Sequence, residues 1–88
     1  MTRPVLVSTT FRQQFRKLDS ATQARLREGL AALAEDPVTP RPGADIRSLR
    51  STVPPKHRLR VGSYRIIYIV EPEAVKMLEL FRRGRGYR

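Results

Sequence analysis

Polar and apolar positions alternate from Lys56 to Val61: Lys56, Arg58 and Arg60 share one parity, and His57, Leu59 and Val61 the other. Period two marks a strand with one wet face and one buried face. Gly62-Ser63 follows, and Gly at the first central position suits a type II′ hairpin turn. Beyond it Tyr64, Ile66, Tyr68 and Val70 point one way, and Arg65, Ile67 and Ile69 the other. The pattern predicts a β-hairpin with a row of cations along one face.

The rest of the chain arranges itself around that hairpin. Residues 5–8 are short and apolar and predict a first strand. Thr9 or Thr10 can cap a helix whose apolar face is Phe11, Phe15 and Leu18, with Arg12, Arg16 and Lys17 outside. Ser20-Ala21-Thr22-Gln23 has the form of a capping box. It predicts a second helix reaching about Glu35, with Leu26, Leu30 and Leu33 on one stripe and Pro37 as its stop. Pro37, Pro40, Pro42 and Gly43 make residues 36–44 a loop. A brief strand is expected at 46–49, a turn at 51–55, a turn at 71–73 and a last apolar strand at 74–81. The order β-α-α-β-β-β-β predicts a single α+β domain over residues 1–88. Its two-helix antiparallel hairpin would pack on one face of a mostly antiparallel sheet. In so small a domain the Phe and Leu stripes are needed for burial, so they are read as core.

Composition narrows the classes. At 88 residues the chain should bury roughly 60–68% of its unfolded surface, enough for one modest core. No cysteine is present, so neither a disulfide framework nor a thiolate metal site is available. The longest N-terminal apolar run, Pro4-Val5-Leu6-Val7, is too short for a signal peptide or a membrane span, and a cytoplasmic protein is expected.

Charge changes the picture more. Eighteen basic side chains face eight acidic ones, a formal net charge of +10. Residues 46–88 hold 11 of the basic and 3 of the acidic groups, so most of the excess lies in the half containing the hairpin. Fifteen of the cations are arginine, whose planar fork grips phosphate and stays charged at any physiological pH. A nucleic acid or an acidic protein is the expected partner; the plainer reading is a basic, well-solvated surface.

Little else carries chemistry. One histidine and eight scattered carboxylates offer no metal-ligand cluster, and no Gly-rich phosphate loop opens a helix. His57 shares parity with Leu59 and Val61, away from the cations, and reads as a core-edge histidine. What remains is Lys56, Arg58, Arg60 and Arg65 on the hairpin, then Arg82, Arg83, Arg85 and Tyr87 at the end. If the last strand pairs with the hairpin, its end brings the tail arginines toward the same surface. Several arginines around a phosphodiester can hold it and stabilise charge building on its oxygens. Tyr87 can stack on a base, or accept a proton if cations favour its anion. Chemistry alone leaves binding and cleavage both open.

The stretch Arg58-Leu59-Arg60-Val61-Gly62-Ser63-Tyr64-Arg65-Ile66-Ile67-Tyr68 resembles the signature hairpin of the RelE/ParE toxin superfamily. The ending Arg82-Arg83-Gly84-Arg85-Gly86-Tyr87-Arg88 is similar to the C-terminus of archaeal-type RelE toxins and favours RelE over ParE. The resemblance spans nearly the whole chain. It implies a cofactor-free, metal-independent mRNA interferase that enters the ribosomal A site, where ribose 2′-hydroxyl attack leaves a 2′,3′-cyclic phosphate. It also implies Tyr87 as general base and stacking platform, and Arg65 and Arg83 as holders of the scissile phosphate. Lys56 matches one basic strand position of the family. Arg58 stands at a second, which is lysine in well-known members; arginine is the poorer proton donor, and the general acid stays unassigned. Arg82 replaces a histidine common in relatives. Arg60, Arg82 and Arg85 would contact RNA. The implied partners are mRNA, the ribosome and a RelB-like antitoxin whose acidic, partly disordered segment wraps the basic face. The alternatives are a ParE-like gyrase inhibitor and a non-catalytic basic RNA- or ribosome-binding domain.

Overall fold

A computed structural model of the chain describes residues 2–49 and 55–82. Its elements are β1 (Val5–Val7), α1 (Thr9–Arg16), α2 (Ser20–Glu35), β2 (Asp45–Leu49), β3 (Lys56–Val61), β4 (Tyr64–Glu71) and β5 (Ala74–Arg82). They form one five-stranded sheet in the order β1-β5-β4-β3-β2, antiparallel except where β1 runs parallel to β5. The expected β-α-α-β-β-β-β order and mostly antiparallel sheet are therefore observed. Among the described residues no helix is long and apolar enough to cross a membrane.

The two helices bury their apolar stripes against one sheet face. Phe11, Leu26 and Leu33 join Ile46, Leu59, Ile66, Tyr68, Val75, Met77 and Leu80 in a single cluster, with Phe15, Leu18 and Leu30 packed against it. Gly29 lets α2 approach the hairpin: a Cβ there would stand 3.0 Å from Val61 Cγ2 and 3.1 Å from Leu59 Cδ2. At the hairpin turn Gly62 has φ +57°, the left-handed conformation that primed turns require at this position.

Both helix starts differ from the expected caps. Ser8, not Thr9 or Thr10, caps α1: its Oγ accepts from Phe11 N at 2.9 Å and donates to the Leu78 carbonyl at 2.7 Å. Past Met77 the short β1 has ended, and α1 meets β5's free edge instead, with Leu80 N donating to Gln14 Oε1 at 2.7 Å. A β-bulge lies at this level, where pairing steps from Ile67–Glu79 to Tyr68–Met77. Asp19, not Ser20, caps α2 through Thr22 N and Thr22 Oγ1, because its carboxylate is the stronger acceptor one residue earlier. Gln23 consequently does not close a capping box, and its Nε2 donates to the Phe15 carbonyl of α1.

The loop after α2 is tied at three points. Asp36 Oδ1 accepts from Val38 N and Thr39 N, which holds its carboxyl at about 2. The Arg41 guanidinium donates to the carbonyls of Ala32, Asp36 and Thr39, covering the C-terminal end of α2 where cations are favoured. Tyr68, fully buried on β4, donates its hydroxyl to the Pro37 carbonyl at 2.7 Å, and burial pushes this phenol far above its ordinary range. Arg41 is thereby committed to structure rather than to a ligand.

Candidate functional site

Directly paired residues share a sheet face, so the strand register shows what stands on the side away from the helices. Nearest the Gly62–Ser63 turn runs a row of Asp45, Arg60, Arg65 and Phe81 across β2, β3, β4 and β5. The next row is Arg47, Arg58, Ile67 and Glu79, and the third is Leu49, Lys56, Ile69 and Lys76. Lys56, Arg58, Arg60 and Arg65 thus stand together on adjacent strands, on the face that hairpin parity assigns to them.

This face is less wet than the alternation implies. Arg58 is only 7% exposed, as is Ile67 across from it, because both sit on interior strands among long side chains. The Arg58 guanidinium makes one described ion pair, Nη2 to Asp45 Oδ1 at 3.4 Å, and its Nε has no partner. Asp45 Oδ2 also accepts from Arg60 Nε at 2.9 Å, so one carboxylate serves two guanidiniums. Burial lowers the pKa of Arg58, Asp45 raises it, and Arg65, Arg47 and Arg60 lower it further. Arginine nevertheless stays protonated at neutral pH, which leaves concentrated positive charge at this point.

Two residues of this face escape inspection of the hairpin alone. Arg47 lies directly across from Arg58, and Phe81 directly across from Arg65. The alternation of Ile46 and Arg47 would have indicated the first, since Ile46 is buried in the core and its neighbour must face away. Phe81 is harder to place, because the bulge shifts the parity of β5 midway.

The tail residues divide. Arg82 pairs with Tyr64, the helix-side parity, and lines a cleft of about 280 Å3 with Thr22, Arg25, Gly62 and Tyr64. It does not join Arg65 as expected, because consecutive strand residues alternate faces and Phe81 takes the open side. Arg83, Arg85 and Tyr87 lie outside the described residues.

His57 is on the helix side, stacked on Tyr68 with ring centroids 5.4 Å apart and an interplanar angle of 24°. Burial lowers its pKa below the ordinary 6.5, and its Nδ1 has no hydrogen-bond partner. Because the folded chain holds the proton less tightly, this contribution to stability is complete above the ordinary value. It is lost as pH falls through 6.5 toward the folded pKa. Thermal melts between pH 7.5 and 5 should show a decline that His57→Gln flattens; an unchanged slope would remove His57 as its source. Among the described residues no three His, Cys, Asp or Glu side chains gather to hold a metal ion.

A helical hairpin backing a sheet whose opposite face carries clustered arginines defines a small, basic α+β domain. The profile of the ParE toxin of type II toxin–antitoxin systems matches residues 5–87, and the chain belongs to this toxin family. Among solved structures it is similar to the archaeal RelE–RelB complex from Pyrococcus horikoshii OT3. There the identity is 32% over 98% of this chain and 100% of that one, with a TM-score of 0.82. The same fold appears in the toxin–antitoxin complex RelBE2 from Mycobacterium tuberculosis, at 23% identity over 94% and 100% of the two chains and a TM-score of 0.76. The isolated E. coli RelE toxin shares it at 20% identity over 97% and 88%, with a TM-score of 0.65. No curated protein matches the chain.

Proposed function

We propose that this chain is a toxin that arrests translation by cutting mRNA at the ribosomal A site. The observation that carries the reading is the gathering of Arg47, Lys56, Arg58, Arg60 and Arg65 on one sheet face, as a polyanionic backbone requires. The similarity to an archaeal RelE supports cleavage over binding alone. In the reaction the ribose 2′-oxygen attacks the adjacent phosphorus and the P–O5′ bond breaks, giving a 2′,3′-cyclic phosphate and a free 5′-hydroxyl. Tyr87 takes the 2′-proton, and Arg65 and Arg83 stabilise charge on the phosphoryl oxygens. Lys56 and Arg58 add positive charge from β3, Lys56 being the better placed by chemistry to return a proton to the 5′-oxygen. Arg60 and Arg85 hold the backbone, while Arg82 meets RNA from the helix side of the turn. No metal or cofactor takes part.

The partner in the cell is a RelB-like antitoxin. A chain of net charge +10 is silenced most directly by an acidic segment laid over its basic face. Inducing the chain without that antitoxin should stop translation within minutes and produce mRNA ends that map inside codons. The match to the ParE profile favours one second reading, a gyrase inhibitor. DNA damage and filamentation with intact mRNA would replace the first reading by the second. Harmless induction would leave only a basic RNA- or ribosome-binding domain.

A further inference from the structure

Asp45 is the one described carboxylate that forms ion pairs with the open-face arginines, and it stands where an anion is most wanted. It opens β2 at the sheet edge and remains half exposed, while Arg58 beside it is buried. Its two oxygens reach Arg58 Nη2 at 3.4 Å and Arg60 Nε at 2.9 Å. The first contact is long, Arg58 Nε is unpartnered, and the nearby charges of Arg47, Arg60 and Arg65 are all positive. A buried guanidinium so incompletely satisfied is costly to maintain, and a closer or more highly charged acceptor would stabilise it.

We propose that Asp45 is an internal stand-in for phosphate. Its carboxylate occupies the anion position between Arg58 and Arg60, holds both guanidiniums in place, and is displaced when a phosphoryl group binds. A carboxylate and a phosphodiester each present two charged oxygens on one centre, so the exchange keeps both arginines paired. The half-exposed carboxylate at the strand end can swing into solvent, whereas buried Arg58 cannot. The device also discriminates: a lone phosphate merely replaces one anion by another. An extended phosphodiester chain adds contacts to Arg47, Lys56 and Arg65. The inference deepens the RNA reading by assigning a residue that gates its anion site, but the gate itself concerns phosphate.

Inorganic pyrophosphate is the first probe, titrated into the purified full chain and followed by calorimetry and by NMR of the arginine Nε–H groups. Asp45→Asn keeps an oxygen for Arg60 and removes the charge, and should bind pyrophosphate about tenfold tighter than wild type. Glu79→Gln removes the same charge from the same face at β5, and should change affinity less than about twofold, as expected of a more distant exposed charge. In wild type the Asp45 carboxyl carbon and the Arg60 Nε resonance should shift together during the titration. That measurement stands even if Asp45→Asn is poorly folded. Equal gains in the two variants, or an Asp45 carboxyl that does not respond, overturn the proposal. Cleavage of mRNA on programmed ribosomes is measured separately. Tighter pyrophosphate binding by Asp45→Asn with no ribosomal mRNA cleavage by either form keeps the gate and removes the RNA reading.

Discussion

Arg65→Ala, Arg83→Ala and Tyr87→Phe are each expected to slow mRNA cleavage on the ribosome by about a hundredfold or more. That is the usual loss when a donor to developing charge, or the proton acceptor, is removed. The effect should fall on turnover rather than binding, because Arg47, Lys56, Arg58 and Arg60 still hold the backbone. Arg82→Gln, on the helix side, should reduce cleavage by no more than about threefold, as for one lost backbone contact. Primer extension on programmed ribosomes reads all four variants. Full cleavage by Arg83→Ala and Tyr87→Phe together would remove this mechanism, and full cleavage by Arg65→Ala would remove Arg65 from it.

Gly29→Leu should destabilise the domain by about 3 kcal/mol, the upper range for overpacking a tight core. In a chain of this size that corresponds to a Tm lower by roughly 15 °C. The reason is geometric: the first side-chain carbon already meets Val61 and Leu59 at 3.0 and 3.1 Å, and a longer branch has nowhere to go without lifting α2 from β3. Gly29→Ala should be nearly neutral. Its methyl presses on the ends of two side chains, while alanine recovers up to about 1 kcal/mol of helix propensity. Because β3 carries Lys56, Arg58 and Arg60, a displaced α2 should weaken RNA binding as well. Circular-dichroism melts of both variants provide the test. A Tm for Gly29→Leu within a few degrees of wild type would show that α2 and β3 are not held at this distance.

Much of this architecture is legible in one dimension because local chemistry sets it. The alternation of Lys56, Arg58 and Arg60 with His57, Leu59 and Val61 specifies both the strand and its two faces. Gly62 supplies the positive φ of the turn, and the Phe11 and Leu26 stripes identify the buried helix faces. The caps moved by one residue because Ser8 and Asp19 compete with equally plausible neighbours, and tertiary partners such as the Leu78 carbonyl decide between them.

By itself, then, the chain specified its element order, its helical hairpin and a hairpin strand with cations on one side. Each rests on a period or a turn residue within a few positions. Only the folded sheet decided which strands flank that hairpin. That brought Arg47 beside Arg58, placed Phe81 beside Arg65, and turned Arg82 to the helix side. Folding also buried Arg58 and set the Asp45 carboxylate between two guanidiniums, a contact between residues 13 positions apart. Register and bulges are properties of paired strands, and charge becomes a site only when pairing brings it together.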